Sequence, residues 1–148
     1  MELTQVEIDA LLQFKTNRLF AKWIWRLRLR DWNIRWRVVR KGELPVDRSG
    51  ACDSSAMKRT ANIRILHPED ADSAWLDPYD LELTIVHELI HLHLASWALL
   101  FDEGDQANLF LEQAVHALSS TFVAADREDR PWSNFPEDGS VQDTRSVV

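Results

Sequence analysis

The sequence predicts an α+β fold with an N-terminal helix, a small antiparallel sheet and two further helices. Three observations support this prediction: helical spacing of apolar residues over 4–28, strand-like alternation between 32 and 66, and a long apolar segment after Asp77. The 148 residues, 45% of them hydrophobic, suit one domain with a substantial core. The single cysteine, Cys52, excludes a disulfide framework and a cysteine-rich zinc site.

Two different periodicities predict the first helix and the sheet. Apolar side chains recur every three or four residues through 4–28, as on one buried face of a helix. The positions on that face are Ile8, Leu11, Leu12, Leu19, Trp23 and Leu27, with the aliphatic stem of Lys15. Residues 32–38 alternate between apolar and polar side chains, as a half-buried strand does. Its expected packed face consists of Trp32, Ile34, Trp36 and Val38. The other two strands are predicted at 50–57 and 61–66, after a turn at 41–45.

Asp77-Pro78-Tyr79-Asp80 is a helix-start signal that combines a capping residue, a proline and acids near the positive end of the helix dipole. The helix is expected to run to about Leu100, and its nearly all-round apolar surface predicts a central position. A third helix is predicted over about 105–125. Its expected inward face consists of Phe110, Ala114, Ala117, Leu118 and Thr121. We therefore expect one domain over 1–126 and a polar, flexible tail over 127–148.

The net charge of −7 conceals a division of the chain into a basic and an acidic half. Residues 15–64 carry 14 bases and 4 acids, whereas residues 65–148 carry 3 bases and 17 acids. One interpretation is that the two halves attract each other within one domain. The other is that the basic half binds nucleic acid or an acidic partner, because residues 22–40 interleave seven basic residues with four tryptophans.

The sequence contains no pattern typical of a targeting signal or a membrane span. Its N-terminus starts acidic and lacks a basic region followed by an apolar one. The most apolar stretch, 84–101, contains one glutamate and three histidines, which a bilayer span would not tolerate without a function inside the membrane. We therefore expect a cytoplasmic protein with no membrane partner.

The pattern that carries chemistry is His87-Glu88-Leu89-Ile90-His91, an H-E-x-x-H sequence inside the predicted central helix. Positions 87 and 91 are one turn apart, so both imidazoles can reach one Zn²⁺ at the usual bond length of about 2.0–2.1 Å. Glu88 is then placed to take a proton from a zinc-bound water. Unsatisfied polar groups are costly in an apolar helix, and a metal would satisfy all three. The alternative is that both histidines are hydrogen-bonded core residues.

A catalytic zinc needs a third protein ligand and an open position. Glu112, 21 residues beyond His91, is the favoured candidate because the interval leaves room for a loop and a returning helix. His116, one turn after Glu112, is the alternative ligand, or a group that hydrogen-bonds Glu112 or substrate. His93 falls on roughly the opposite helix face and is not expected to bind the metal. Three intervening acids are outside possibilities: Asp102, Glu103 and Asp105.

These residues predict metal-assisted hydrolysis of a peptide bond. Zn²⁺ would lower the pKa of its water from about 15.7 toward 7 and polarise the scissile carbonyl. Glu88 would accept the proton and later pass it to the leaving amine. The group that stabilises the oxyanion is left open between Tyr79, the only tyrosine, and His116.

The stretch 79–92, followed by Glu112-Gln113-Ala114-Val115, resembles the small minimal zincin metallopeptidases. These include phage- and mobile-element-encoded metallopeptidases, the ImmA/IrrE type and, more distantly, SprT-like proteins. The resemblance covers about residues 5–125 and implies a minimal zincin-like fold in which a ligand-bearing helix follows the HExxH helix. It also implies Glu88 as the catalytic base, and three zinc ligands: His87, His91 and Glu112.

Two positions depart from larger zincin classes. Leu94 stands where metzincins have a glycine, and His116 stands where the larger gluzincins have an aspartate that orients a zinc histidine. The surroundings of the metal ligands therefore differ from those of either class.

Two hypotheses of different class follow. The leading one is a zinc metallopeptidase acting on a peptide or protein substrate in the cytoplasm, or in the host cytoplasm if the chain is phage-encoded. A basic sheet face near the cleft would then favour acidic substrates. The alternative is a non-catalytic or regulatory zincin-like protein that binds DNA or a protein partner through residues 22–40. A structural zinc domain is disfavoured, because such sites have four protein ligands and prefer cysteine.

Overall fold

The computed structural model describes residues 2–100 and 104–128, and it confirms the α+β class. The helices are α1 (Gln5–Arg26), α2 (Leu81–Ala98) and α3 (Asp105–Arg127). The strands are β1 (Asn33–Val39), β2 (Gly50–Ser55) and β3 (Thr60–Leu66). Single-turn 3₁₀ helices at Lys41–Glu43 and Pro68–Asp70 lie in the connections.

The sheet has the strand order β1-β3-β2, and the prediction of an antiparallel sheet is wrong for one of its two strand pairs. β2 and β3 form an antiparallel pair, but β1 runs parallel to β3. β3 buries Ala61, Ile63 and Ile65, so the strand with the most buried residues takes the centre and the two more exposed strands take the edges. Residues 40–49 therefore carry the chain from β1 to the far side of β3 before β2 begins.

β1 alternates as the sequence predicts. Trp32, Ile34 and Trp36 pack against the core, and the ring of Trp36 stacks on Phe20 of α1 with 5.0 Å between centroids. The intervening side chains, which include Arg35 and Arg37, are exposed. The opposite face of this strand is therefore open to solvent.

α2 is the central helix and packs against α1, α3 and the sheet. Its N-cap is Asp80, whose carboxylate accepts a hydrogen bond from the backbone N–H of Leu83 at 3.0 Å. The helix therefore begins after the predicted Asp77-Pro78 start. Its apolar surface is buried at the centre of the fold, as expected, with no exposed area at Ile85, Val86 or Leu89.

α3 packs on α2 through a face that periodicity did not identify. The buried residues are Val115, Ser119 and Val123, which recur every four positions and share a face with Glu112. The predicted inward residues are all exposed instead: Phe110, Ala114, Ala117, Leu118 and Thr121. The rotation of α3 about its axis is therefore set by its contact with α2. The positions of its largest apolar side chains do not determine this rotation.

Ion pairs join the basic half of the chain to the acidic half. Lys22 of α1 lies 2.8 Å from Glu82 of α2 and 2.6 Å from Asp126 of α3, and Arg26 also pairs with Asp126. The indole N–H of Trp23 donates to Glu82 at 2.7 Å. The interpretation that the two halves attract each other within one domain is confirmed for these residues.

The predicted tail, 127–148, lies outside the described residues except for Arg127 and Glu128. Arg127 ends α3, and its guanidinium donates to both carboxylate oxygens of Asp80, at 2.7 and 2.9 Å. Within residues 2–100 and 104–128, no helix combines the length and the apolar content needed to cross a membrane.

We predict that Trp23→Phe destabilises the protein by about 1–3 kcal/mol, because it removes an N–H donor from the largely buried Glu82 carboxylate. Thermal unfolding followed by circular dichroism measures the loss. Trp25→Phe is the matched control, because Trp25 is 61% exposed and its ring can be replaced by the phenyl ring under Arg30, so the melting temperature should fall less than in Trp23→Phe. Equal melting temperatures for Trp23→Phe and the wild type would rule out this role of the hydrogen bond.

Candidate metal centre

Side chains from α2 and α3 converge at one point. His87 and His91, one turn apart on α2, approach to 3.3 Å between their Nε2 atoms. Glu112 of α3 places Oε2 3.3 Å from His87 Nε2, and Oε1 3.2 Å from His91 Nε2. In the described part of the chain, this is the one group of three or more His, Cys, Asp or Glu side chains close enough together to hold a metal ion.

The spacing of these atoms fits a small tetrahedral cation. Bonds of about 2.0–2.1 Å in tetrahedral geometry separate neighbouring ligand atoms by about 3.3–3.4 Å. The two Nε2 atoms are 3.3 Å apart, and each lies 3.2–3.3 Å from its nearer Glu112 oxygen, which is Oε2 for His87 and Oε1 for His91. Two imidazole nitrogens and one carboxylate form a donor set that Zn²⁺ accepts while keeping a position open. The three side chains are also partly exposed, so the centre can be reached from solvent.

The environment of the two histidines favours the neutral imidazole. Burial lowers the pKa of both His87 and His91, and the neighbouring charge of His91 lowers that of His87 further. The carboxylate of Glu112 opposes both shifts without reversing them. A neutral imidazole offers a nitrogen lone pair to a metal, whereas a protonated imidazole does not. Near neutral pH the centre is therefore in the protonation state that metal binding requires.

Glu88 is buried beside the centre, with 6% of its surface exposed. Burial raises its pKa to about 8, and the nearby charge of Glu112 adds to the rise while that of Arg48 opposes it. Gly50, the first residue of β2, lies against this carboxylate: a Cβ at position 50 would be 2.7 Å from Glu88 Oε1. The absence of a side chain at Gly50 thus leaves the space that the carboxylate occupies.

The centre opens into a cleft of about 450 Å³. Segment 47–50, which leads into β2, and segment 75–80, which leads into α2, both line it. The lining residues that carry chemistry are His87, Glu88, Glu112 and His116. His116 lies one turn beyond Glu112 on the exposed side of α3, outside the group of three ligand atoms. Of the two candidates for a third ligand, Glu112 is the one that lies next to the histidines.

The other predicted candidates have different surroundings. The hydroxyl of Tyr79 donates to the carbonyl oxygen of Leu66 at 2.6 Å, and burial raises the pKa of that hydroxyl. His93 is exposed, and its Nε2 lies 2.7 Å from the carbonyl oxygen of Leu27, as expected for a histidine on the far face of the helix. Outside the described residues lie Asp102, Glu103 and the side chain of Asp105.

Sequence reasoning did not identify two cleft residues, Gly50 and Arg48. A glycine within a strand is a signal of close backbone approach, but the partner of Gly50 lies 38 positions away, in α2. Arg48 is one of 14 bases in its half of the chain, and no local pattern distinguishes it from the others.

Comparison of the chain with protein-family models, with curated proteins and with solved structures finds no match. The functional interpretation therefore depends on the geometry of the centre and on the sequence motif. The resemblance to minimal zincins stays a prediction from that motif.

We predict that Glu88 makes the metal-free protein less stable as pH rises from about 4.5 to 8. Its pKa is about 8 in the folded chain, against an ordinary value of 4.5, so the folded chain holds the extra proton across this range. Folding becomes less favourable as that proton is lost, by at most about 1.4 kcal/mol per pH unit. The difference in melting temperature between the wild type and Glu88→Gln, measured with a chelator, should follow this slope, because the opposing contributions of His87 and His91 are common to both proteins. Parallel profiles for the two proteins would contradict the raised pKa.

Proposed function

We propose that this protein is a zinc-dependent metallopeptidase of the minimal zincin type. The observation that carries the proposal is the convergence of His87, His91 and Glu112 beside the buried carboxyl of Glu88, in a cleft open to solvent. The order of elements also agrees with the resemblance: a helix, a short sheet, the HExxH helix and a helix that carries Glu112. Four-ligand structural zinc sites, by contrast, leave no role for a buried glutamate at the centre.

His87, His91 and Glu112 would hold the ion. Bound there, Zn²⁺ would polarise the scissile carbonyl, acidify a water and, through its charge, oppose the raised pKa of Glu88. The carboxylate of Glu88 accepts the proton of the attacking water, whose oxygen bonds to the carbonyl carbon. The C–N bond then breaks, and the same proton passes from Glu88 to the leaving amine. An acid–base group is most effective with a pKa near the working pH, which suits the buried position of Glu88.

The edge strand β2 supports a peptide as the substrate. Among the described residues, β2 lies at an edge of the sheet and pairs with β3 alone, and its first residue, Gly50, contacts Glu88. An extended peptide that added to this edge would therefore lie beside the acid–base group.

The cleft itself does not support a preference for acidic peptides. Its described lining includes the acidic residues Asp47 and Asp77 against one arginine, Arg48, and a third acid, Asp80, is already paired with Arg127. The depression on the outer sheet face, where Arg35 and Arg37 lie, shares no lining residue with the cleft. The proposed substrate is therefore a peptide or protein without a required acidic residue.

We expect the wild type to bind one equivalent of Zn²⁺, measured by calorimetry and by metal analysis of the purified protein. His87→Ala, His91→Ala and Glu112→Ala each remove a ligand and should weaken binding by about 100-fold or more. Glu88→Gln should keep the metal and lose peptide hydrolysis by about 100-fold or more, because only the proton acceptor is changed.

His93→Ala is the matched control for the metal ligands. It removes an imidazole from the same helix, but one that is bonded to the carbonyl of Leu27, so zinc affinity should not change. A wild-type zinc content near zero that is unchanged in His87→Ala would refute the proposal.

A second candidate function is favoured by the outer face of the sheet, where a depression of about 520 Å³ is open to solvent. The charged residues that line it are Arg35, Arg37, Arg64 and Asp53. In this alternative, the chain is a non-catalytic regulator that binds the phosphates of nucleic acid, or an acidic partner, on this face. Only part of segment 22–40 would contribute, because Lys22 and Arg26 pair with acids of α2 and α3 and Arg40 pairs with Asp70. Arg37 pairs with Glu43 at 3.2 Å, but both side chains are exposed, so a phosphate can replace that carboxylate.

If this alternative holds, single-stranded DNA should bind more weakly as salt rises. The double variant Arg35→Glu with Arg37→Glu should lower affinity by about tenfold or more, because two phosphate contacts become repulsive. Fluorescence anisotropy measures both effects, and Arg18→Glu, an exposed reversal on α1, is the control. Absence of binding at low salt, or equal losses in the control, would exclude nucleic acid as the ligand of this face.

A further inference from the structure

Hydrolysis of a peptide bond moves negative charge onto the carbonyl oxygen, and a positioned donor or cation lowers the energy of that state. The sequence offered Tyr79 and His116 for this role. The hydroxyl of Tyr79 already donates to the carbonyl oxygen of Leu66 at 2.6 Å, within the packed start of α2. Tyr79 is thus a structural residue in this conformation, and the role is open to another group in the cleft.

Of the described residues that line the cleft, Arg48 is the one lysine or arginine. Within the described ranges, no carboxylate lies within ion-pair distance of its guanidinium, although Asp47 and Asp77 line the same cleft. An arginine in an acid-rich cleft that has no acidic partner is available to an anion supplied from outside. Arg48 therefore differs from Lys22, Arg26 and Arg127, whose charges are already paired.

The segment that carries Arg48 is tied to the acid–base group. The backbone N–H of Arg48 donates to the carbonyl oxygen of Pro45 at 3.3 Å, and two residues further on Gly50 contacts Glu88. Asp47 has a left-handed backbone, with φ of 60°, a conformation that aspartate tolerates better than most residues. This turn directs the chain so that Arg48 faces the cleft.

Arg48 also lines the same cleft as the acid–base group Glu88 and two of the candidate metal ligands, His87 and Glu112. A permanent cation beside a centre that binds a cation is electrostatically unfavourable on its own. An anionic oxygen between them would be attracted by both charges.

We propose that Arg48 is a catalytic residue that binds the scissile carbonyl oxygen and stabilises its developing negative charge. This inference rests on the proposed peptidase function. The guanidinium N–H groups donate to that oxygen while the water oxygen bonds to the carbonyl carbon and Glu88 takes the proton. The electron pair returns to re-form the carbonyl as the C–N bond breaks, and the amine leaves with the proton from Glu88.

The test uses the zinc-loaded full chain with Arg48→Ala and Arg48→Lys. We expect Arg48→Ala to lower kcat by about 100- to 1000-fold with KM changed less than about threefold, because the interaction forms only as charge develops. Arg48→Lys should recover part of the loss. By calorimetry, Arg48→Ala should weaken binding of a phosphonate peptide, a mimic of the tetrahedral state, but not of the matching product peptide.

Zinc content and melting temperature should stay at wild-type values in Arg48→Ala, because the side chain is exposed and makes no ion pair with any described residue. Arg18→Ala, an exposed arginine on α1, is the matched control and should change neither kcat nor phosphonate affinity.

Three outcomes would overturn the inference. If Arg48→Ala keeps full kcat and His116→Ala loses it, the role belongs to His116. If Arg48→Ala raises KM only for acidic peptides, the guanidinium recognises a substrate carboxylate instead. If the wild type neither binds zinc nor cleaves any peptide, the proposed function itself fails. If the wild type cleaves peptides and Arg48→Ala is equally active, the function stands and only the role of Arg48 fails.

Discussion

The packing of α3 against α2 is the constraint on which the rest of the structure depends. Val115, Ser119 and Val123 give α3 a narrow buried stripe, and Glu112 continues that stripe toward the two histidines. At the other end of α3, Asp126 and Arg127 pair with residues of α1 and of the start of α2. The buried stripe and these ion pairs together fix α3 so that one carboxylate meets two imidazoles at 3.2–3.3 Å.

Local patterns predicted the parts of the fold that local chemistry determines. The alternation of β1 and the one-turn spacing of His87 and His91 follow from backbone periodicity, so sequence was enough for both. The inward face of α3 was missed because apolar side chains such as Phe110 dominate a periodicity count, whereas a helix that packs on a single neighbour buries only a narrow stripe. The parallel direction of β1 was missed because it depends on which strand takes the centre of the sheet. That position depends on contacts among all three strands and cannot be predicted from one segment.

The same distinction applies to the candidate centre. The motif and the interval to Glu112 were visible in sequence, because they lie on two helices separated by a short connection. Gly50 and Arg48 reach the centre only through the sheet, so their positions depend on the crossover between β1 and β2. The basic residues of the N-terminal half likewise lie in three places. Some, such as Lys22, pair with acids of the other helices, others lie on the outer sheet face, and Arg48 lines the cleft.

The contact between Gly50 and Glu88 has a consequence for how such a centre evolves. Gly50, which has no side chain, determines how much space the Glu88 carboxylate has. The substitutions that position 50 tolerates are therefore limited more by the Glu88 carboxylate of α2 than by the β2 strand that contains this position. A single methyl group added at position 50 would displace the Glu88 carboxylate, so a residue without polar atoms controls the position of the acid–base group.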